Sequence, residues 1–209
     1  MGAVMAAEAH TGEQALRATS ENWMYPPEEG WTWDQVKELD VPFDWDLVDG
    51  NIAVRGVTTW WHDQVRNELY FRLRSVQRPP YGTAVERWTQ FDDRNVPRPD
   101  IVVYDKTEVD IRTMDCTPVA SIVLAVEIVS PGSRTDDRFR KPGMYAEAGI
   151  AHYWRVERGE DDVPEVHQFW LDEDSGVLIP RPDRPVHTDK LTTVVPFPVD
   201  IDLRSLIEA

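Results

Sequence analysis

Ser121-Ile122-Val123-Leu124-Ala125-Val126-Glu127-Ile128-Val129 is a near-continuous apolar run of β-branched character, interrupted by one carboxylate. A run of this length and composition predicts a central strand covered on both faces. Glu127 is its anomaly, because a carboxylate in such a place loses its hydration and costs several kcal/mol unless it is protonated or meets a cation. Upstream, Pro97-Arg98-Pro99-Asp100-Ile101-Val102-Val103-Tyr104 delivers an aspartate from a proline-stiffened loop to the first position of another apolar strand. Taken separately, Glu127 could be a strand-end acid paired with an arginine and Asp100 a turn residue capping backbone. If the two strands are adjacent and carry their acids near one edge, the acids form a hard-oxygen pocket suited to Mg²⁺ or Mn²⁺.

Around these strands the chain alternates helix and strand signals. Residues 1–22 have no sustained period and read as a terminal tail, leaving 23–209 as one domain. Thr32-Trp33-Asp34-Gln35 has the form of a capping box, predicting a short helix over about 33–39. Asp49-Gly50 between two alternating stretches predicts a hairpin over 43–54. A helix over about 59–77 follows, with Val65, Leu69, Leu73 and Val76 along one stripe beside His62, and Glu68 at its border. Strands are expected at 84–91, 100–104 and 121–129. A helix at 136–148 ends at Gly149, and further strands are expected at 152–156, 165–171 and 191–197. This order indicates a mixed α/β (α+β) domain with a mixed central β-sheet flanked by helices and an N-terminal β-hairpin/helix extension.

Composition sets limits on function. The chain of 209 residues carries 22 Lys and Arg against 38 Asp and Glu, a net charge of −16. Bulk electrostatic coating of nucleic acid or anionic lipid is a poor match for that balance, so any contact with a polyanion must be local. The best place is 134–141, where Arg134, Arg138, Arg140 and Lys141 outnumber Asp136 and Asp137. One cysteine, Cys116, excludes an intrachain disulfide framework, and neither a secretory signal nor a membrane span is apparent; the expected location is the cytoplasm. Most of the nine tryptophans are expected in the core, with a base-stacking platform as the rarer use. A glycosidase-like acid pair is disfavoured because no second buried acid stands in a matching motif.

Pro99-Asp100 followed by Glu127-Ile128-Val129 resembles the Pro-Asp…(Asp/Glu)-x-Lys core of restriction-endonuclease-like nucleases. The string Glu127-Ile128-Val129-Ser130-Pro131, then Asp137, Lys141, Tyr145, Gly149 and Tyr153-Trp154, is similar to the Uma-type restriction endonuclease family over roughly residues 30–207. That resemblance implies a restriction-endonuclease-like core of helix, mixed sheet and helix, and a Mg²⁺- or Mn²⁺-dependent endonuclease acting on nucleic acid, DNA above all. It implies a metal held by Asp100, Glu127 and the backbone carbonyl of Ile128, and often a homodimer. Position 129 is Val where the superfamily core has lysine, so the basic role moves to Lys141, whose placement is complicated by Pro142.

Accessory expectations are a further ligand or base from Glu68 or His62, and Ser130 beside the metal. Asp137 would cap the helix or hold Lys141 or Arg140, while Tyr145 lies one turn past Lys141. Arg134, Arg138 and Arg140 would bind phosphate. The alternative is the same fold without catalysis, serving as an interaction or assembly module.

Overall fold

The computed structural model describes residues 16–110, 112–132 and 135–208. A one-turn helix α1 (Trp33–Val36) opens with the expected reciprocal cap between Thr32 and Gln35. The hairpin β1 (Trp45–Val48) and β2 (Asn51–Val54) turns at Asp49 and Gly50, both at positive φ, the geometry that Asp-Gly favours. Gly50 also meets Gly30 so closely that a Cβ on it would lie 2.8 Å from the Gly30 Cα. Helix α2 (Trp60–Val76) is capped by the Thr59 side chain and buries His62, Val65, Leu69 and Leu73.

Next come β3 (Tyr81–Val85), β4 (Thr89–Gln90), β5 (Ile101–Asp105), β6 (Thr117–Pro118) and β7 (Ile122–Ile128). Helix α3 (Lys141–Glu147) precedes β8 (His152–Arg158) and β9 (Pro164–Asp172). The chain ends with β10 (Val177–Pro180), β11 (Val186–His187), β12 (Lys190–Thr193) and β13 (Val199–Asp202).

The main sheet runs β10-β9-β8-β7-β5-β3, with β11 on β9; β7 and β8 are parallel and the other neighbours antiparallel. The period-2 alternation of β7 divides its side chains between two cores. Leu124, Val126 and Ile128 join α2 and the β12–β13 ladder on one face, while Ala125 joins Tyr145 and Ile150 of the α3 region on the other. Both faces are covered, which is why the run is apolar throughout. A third cluster, built on Trp31, Trp33, Trp45, Leu47 and Val96, binds α1 to the hairpin.

Three expectations are corrected. The strand expected over 84–91 is two: Glu86 adopts φ +44, which no strand continues, and β4 pairs with β6 in a separate ladder. The strand expected over 191–197 stops at Thr193, before Pro196 and Pro198, which cannot donate to a ladder, and returns as β13. The helix expected over 136–148 has two forms: residues 136–140 make a π-turn and only Lys141–Glu147 is α-helical. Pro142 has no N–H to give and its ring crowds the turn before it, and a widened turn accommodates both. Within the segment expected as a tail, Ala18 is buried and its N–H donates to the Gln35 carbonyl at 2.9 Å; residues 1–15 lie outside the described residues.

Candidate active site

The antiparallel register of β5 and β7 places Ile101 opposite Val126, so the next position sets Asp100 opposite Glu127 at one edge of the sheet. Asp100 takes the place of a ladder partner there: its Oδ2 accepts the Ile128 N–H at 2.7 Å. A strand residue sends its N–H and C=O to the same side. Val129 donates instead to Val156 of β8 at 2.8 Å, so the Ile128 carbonyl faces Asp100. Asp100, Glu127 and Ile128 all line a cavity of about 130 Å³.

Glu127 projects onto the α3 face. Its Oε2 is 2.8 Å from Lys141 Nζ, and its Oε1 accepts from the Tyr145 hydroxyl. Lys141 Nζ lies also 2.9 Å from Asp137 Oδ1. The π-turn matters here, because it brings Asp137 and Lys141 inward together despite Pro142. Tyr153, from β8, fixes the turn by donating to the Asp137 carbonyl at 2.7 Å.

Asp100 is held from the opposite side. His62 Nε2 is 3.3 Å from its Oδ2, and Arg55 donates to its Oδ1 at 3.2 Å and to the Arg98 carbonyl at 3.0 Å. Burial alone would raise the Asp100 pKa, but the hydrogen bond and charge of His62 and the charges of Lys141 and Arg55 outweigh it and hold it at about 2. Glu127 moves the other way. Burial first, then the charges of Asp100 and Asp137, push it up to about 8 against the pull of Lys141. Lys141 itself is raised, since Glu127, Asp137 and Asp100 more than offset its desolvation. Two facing carboxyls with pKa values driven apart by one environment are a feature of reactive sites.

Of the residues expected here, Asp100, Glu127, Lys141, Ile128, His62, Ser130, Asp137 and Arg140 line the cavity, and Tyr145 supports it through Glu127. Glu68 does not reach it; it lies beside Arg72 along α2 at 4.0 Å. Arg138 turns outward to pair with Glu157, and Arg134 lies outside the described residues. Two contributors went unforeseen. Arg55 and Asp46 both line the cavity and come from the hairpin, which the sequence offered only as a structural extension. Asp46 is one of three aspartates in that stretch, with Asp44 and Asp49, and Arg55 follows it, so neither stands out in the sequence.

A divalent cation fits this donor set in kind. Asp100 and Glu127 are hard oxygen donors, the Ile128 carbonyl faces the same side, and the carboxyl oxygens keep lone pairs beyond those used by their present donors. Among the described residues no three His, Cys, Asp or Glu side chains form a metal-binding group. Two carboxylates with the balance supplied by water and substrate are nevertheless the usual arrangement for Mg²⁺.

The family model described as "Uma2: Putative restriction endonuclease" matches residues 33–189. Among solved structures, the chain resembles a crystal structure of "a putative nuclease belonging to DUF820" from Anabaena variabilis, with a TM-score of 0.63 and 17% identity, covering 84% of this chain and 96% of that one. At that identity the likeness shows the fold alone, and the fold is the mixed-sheet architecture expected from the sequence. No curated protein matches. No helix among the described residues is long and apolar enough to cross a membrane.

Proposed function

The chain belongs to the Uma2 family, and from that membership together with the geometry above we propose that it is a divalent-metal-dependent nuclease that hydrolyses phosphodiester bonds, with DNA as the favoured substrate. One observation carries the reading. Position 129 carries no lysine, but the Lys141 ammonium reaches Glu127 from the following helix, which supports Lys141 as the basic member of the site.

Asp100, Glu127 and the Ile128 carbonyl would hold Mg²⁺ or Mn²⁺, which supplies an activated water at neutral pH and neutralises charge on the scissile phosphate. Lys141 places a fixed positive charge where negative charge develops on phosphorus, and orients the attacking water. Arg140, at the cavity wall, faces the approaching phosphate. His62 and Arg55 hold Asp100 ionised and fixed in its rotamer, and Tyr145 fixes the rotamer of Glu127 by donating a hydrogen bond. Four carboxyls line the cavity with three fixed cations and one histidine. A polyanion therefore gains little until a divalent cation tips that balance.

The test is cleavage of single-stranded DNA, duplex DNA and RNA by the purified chain with Mg²⁺ or Mn²⁺, beside Asp100→Asn and Glu127→Gln. Metal-dependent cleavage lost in both variants is the expected result. Cleavage that survives both substitutions refutes the assigned site, and none by the parent leaves a non-catalytic module of the same fold.

A further inference from the structure

Among the described residues the three most exposed large apolar side chains are Val57 at 97%, Trp60 at 85% and Phe139 at 76%. All three are sequence neighbours of residues that line the cavity. Val57 sits between Gly56 and Thr58, which line it; Trp60 follows two residues on, at the start of α2; Phe139 precedes Arg140, which also lines it. The fold accounts for their direction but not for their size. Helix α2 buries His62, Val65, Leu69 and Leu73, leaving Trp60 out of phase with its packed stripe. The π-turn sends Asp137 and Lys141 inward, which turns Phe139 out. Small polar residues would serve equally well at such positions, and large apolar side chains left exposed in segments that line a cavity mark a contact.

The chemistry of the neighbourhood selects the occupant. Beside these two exposed aromatics the cavity carries Arg55, Arg140 and Lys141 against four carboxyls, and with the divalent cation of the reading above it takes anionic groups, so the ligand must alternate those with flat apolar ones. Nucleotides whose bases are unpaired have that form. A duplex keeps its bases stacked inward and offers phosphates to this chain, whose net charge of −16 gives little return from counterion release. A strand with free bases can stack on Trp60 and Phe139 and gain affinity that hardly depends on salt.

We propose that Trp60 and Phe139 form a base-stacking lip and that the substrate of this site is single-stranded nucleic acid. The inference rests on the nuclease reading above and adds the class of strand. Neither aromatic takes part in the chemistry; both position the strand.

The experiment measures anisotropy of a short labelled oligothymidylate and of the matching duplex, with Ca²⁺ as a spectator cation, for the parent, Trp60→Ala, Trp60→Phe and Phe139→Ala. Cleavage of both substrates in Mn²⁺ is followed in parallel. Stacking of one base predicts that Trp60→Ala weakens single-strand binding roughly 5- to 150-fold, and raises KM for that strand while leaving kcat nearly unchanged. Trp60→Phe should retain most of the affinity, and duplex binding should not respond. If single strands bind with this dependence on Trp60 and nothing is cut, the nuclease reading fails and the lip stands. Should strands be cut while both alanine variants bind and cut as the parent does, the lip fails and the nuclease reading stands. Duplex binding as tight as single-strand binding overturns the proposal. So does a dimer, seen by sedimentation, that Trp60→Ala dissociates without affecting oligonucleotide binding.

Discussion

Replacing Lys141 by Met keeps the reach of the side chain and removes its charge. The ammonium lies 2.8 Å from Glu127 Oε2 and 2.9 Å from Asp137 Oδ1, on side chains that are each 1% exposed. Removing one member of a buried pair strands its partner without hydration and costs about 3–5 kcal/mol. Two acids are stranded here, which argues for the upper part of that range. Glu127 moderates the loss, since its pKa is already near 8 and it takes up a proton readily at neutral pH. For a domain of this size each kcal/mol moves Tm by about 2–4 °C, so Lys141→Met should melt roughly 6–20 °C below the parent. Asp137→Asn in the Lys141→Met background removes one stranded charge and should return about half the loss. Thermal unfolding followed by circular dichroism at pH 7 in EDTA, on the parent, both single variants and the double variant, makes the comparison. The reasoning is refuted if Lys141→Met melts within about 2 °C of the parent, or if the double variant is no more stable than Lys141→Met.

Other consequences of the same geometry are open to direct measurement. Tyr145→Phe withdraws the hydroxyl that Glu127 accepts and should cost about 1–3 kcal/mol in urea titrations, as expected when a buried acceptor loses its donor. Asp100 has a folded pKa of about 2, below its ordinary 3.8. It therefore contributes stability above about pH 4, about 2–3 kcal/mol, that disappears as pH falls through 2. Comparing the slopes of stability between pH 5 and pH 2 for parent and Asp100→Asn isolates this contribution, and equal slopes would contradict it. Glu68→Ala and Arg138→Ala should leave the cleavage rate within about twofold, since each side chain pairs away from the cavity; a tenfold loss in either would place it back in the site.

The sequence made the centre of the fold legible because its strongest signals are physical requirements. An apolar run such as 122–128 must be covered twice, and the acid within it must find a partner; the structure supplies α2, α3 and Lys141. Asp-Gly at 49–50 and the Thr32/Gln35 pair were likewise legible, since each is a local solution to backbone geometry or to free N–H groups. What stayed hidden depends on distance along the chain. Arg55 reaches Asp100 across 45 residues, and no local pattern announces it. The break at Glu86 requires knowing that Trp88 leaves the sheet to join the Trp33–Trp45 cluster. Lys141 was nameable through the family resemblance, helped by the scarcity of lysine in this chain, and the π-turn that delivers it past Pro142 follows from packing of Asp137 and Tyr153.

Cation binding tests the central claim most directly, since Asp100 and Glu127 either share an ion or they do not. Titrating the metal-free chain with Mn²⁺ in a calorimeter at pH 7.5 should show saturable binding for the parent and its loss in both Asp100→Asn and Glu127→Gln, with circular dichroism confirming that the variants remain folded. Mn²⁺ binding that persists unchanged in the two folded variants, or none by the parent, would contradict the account.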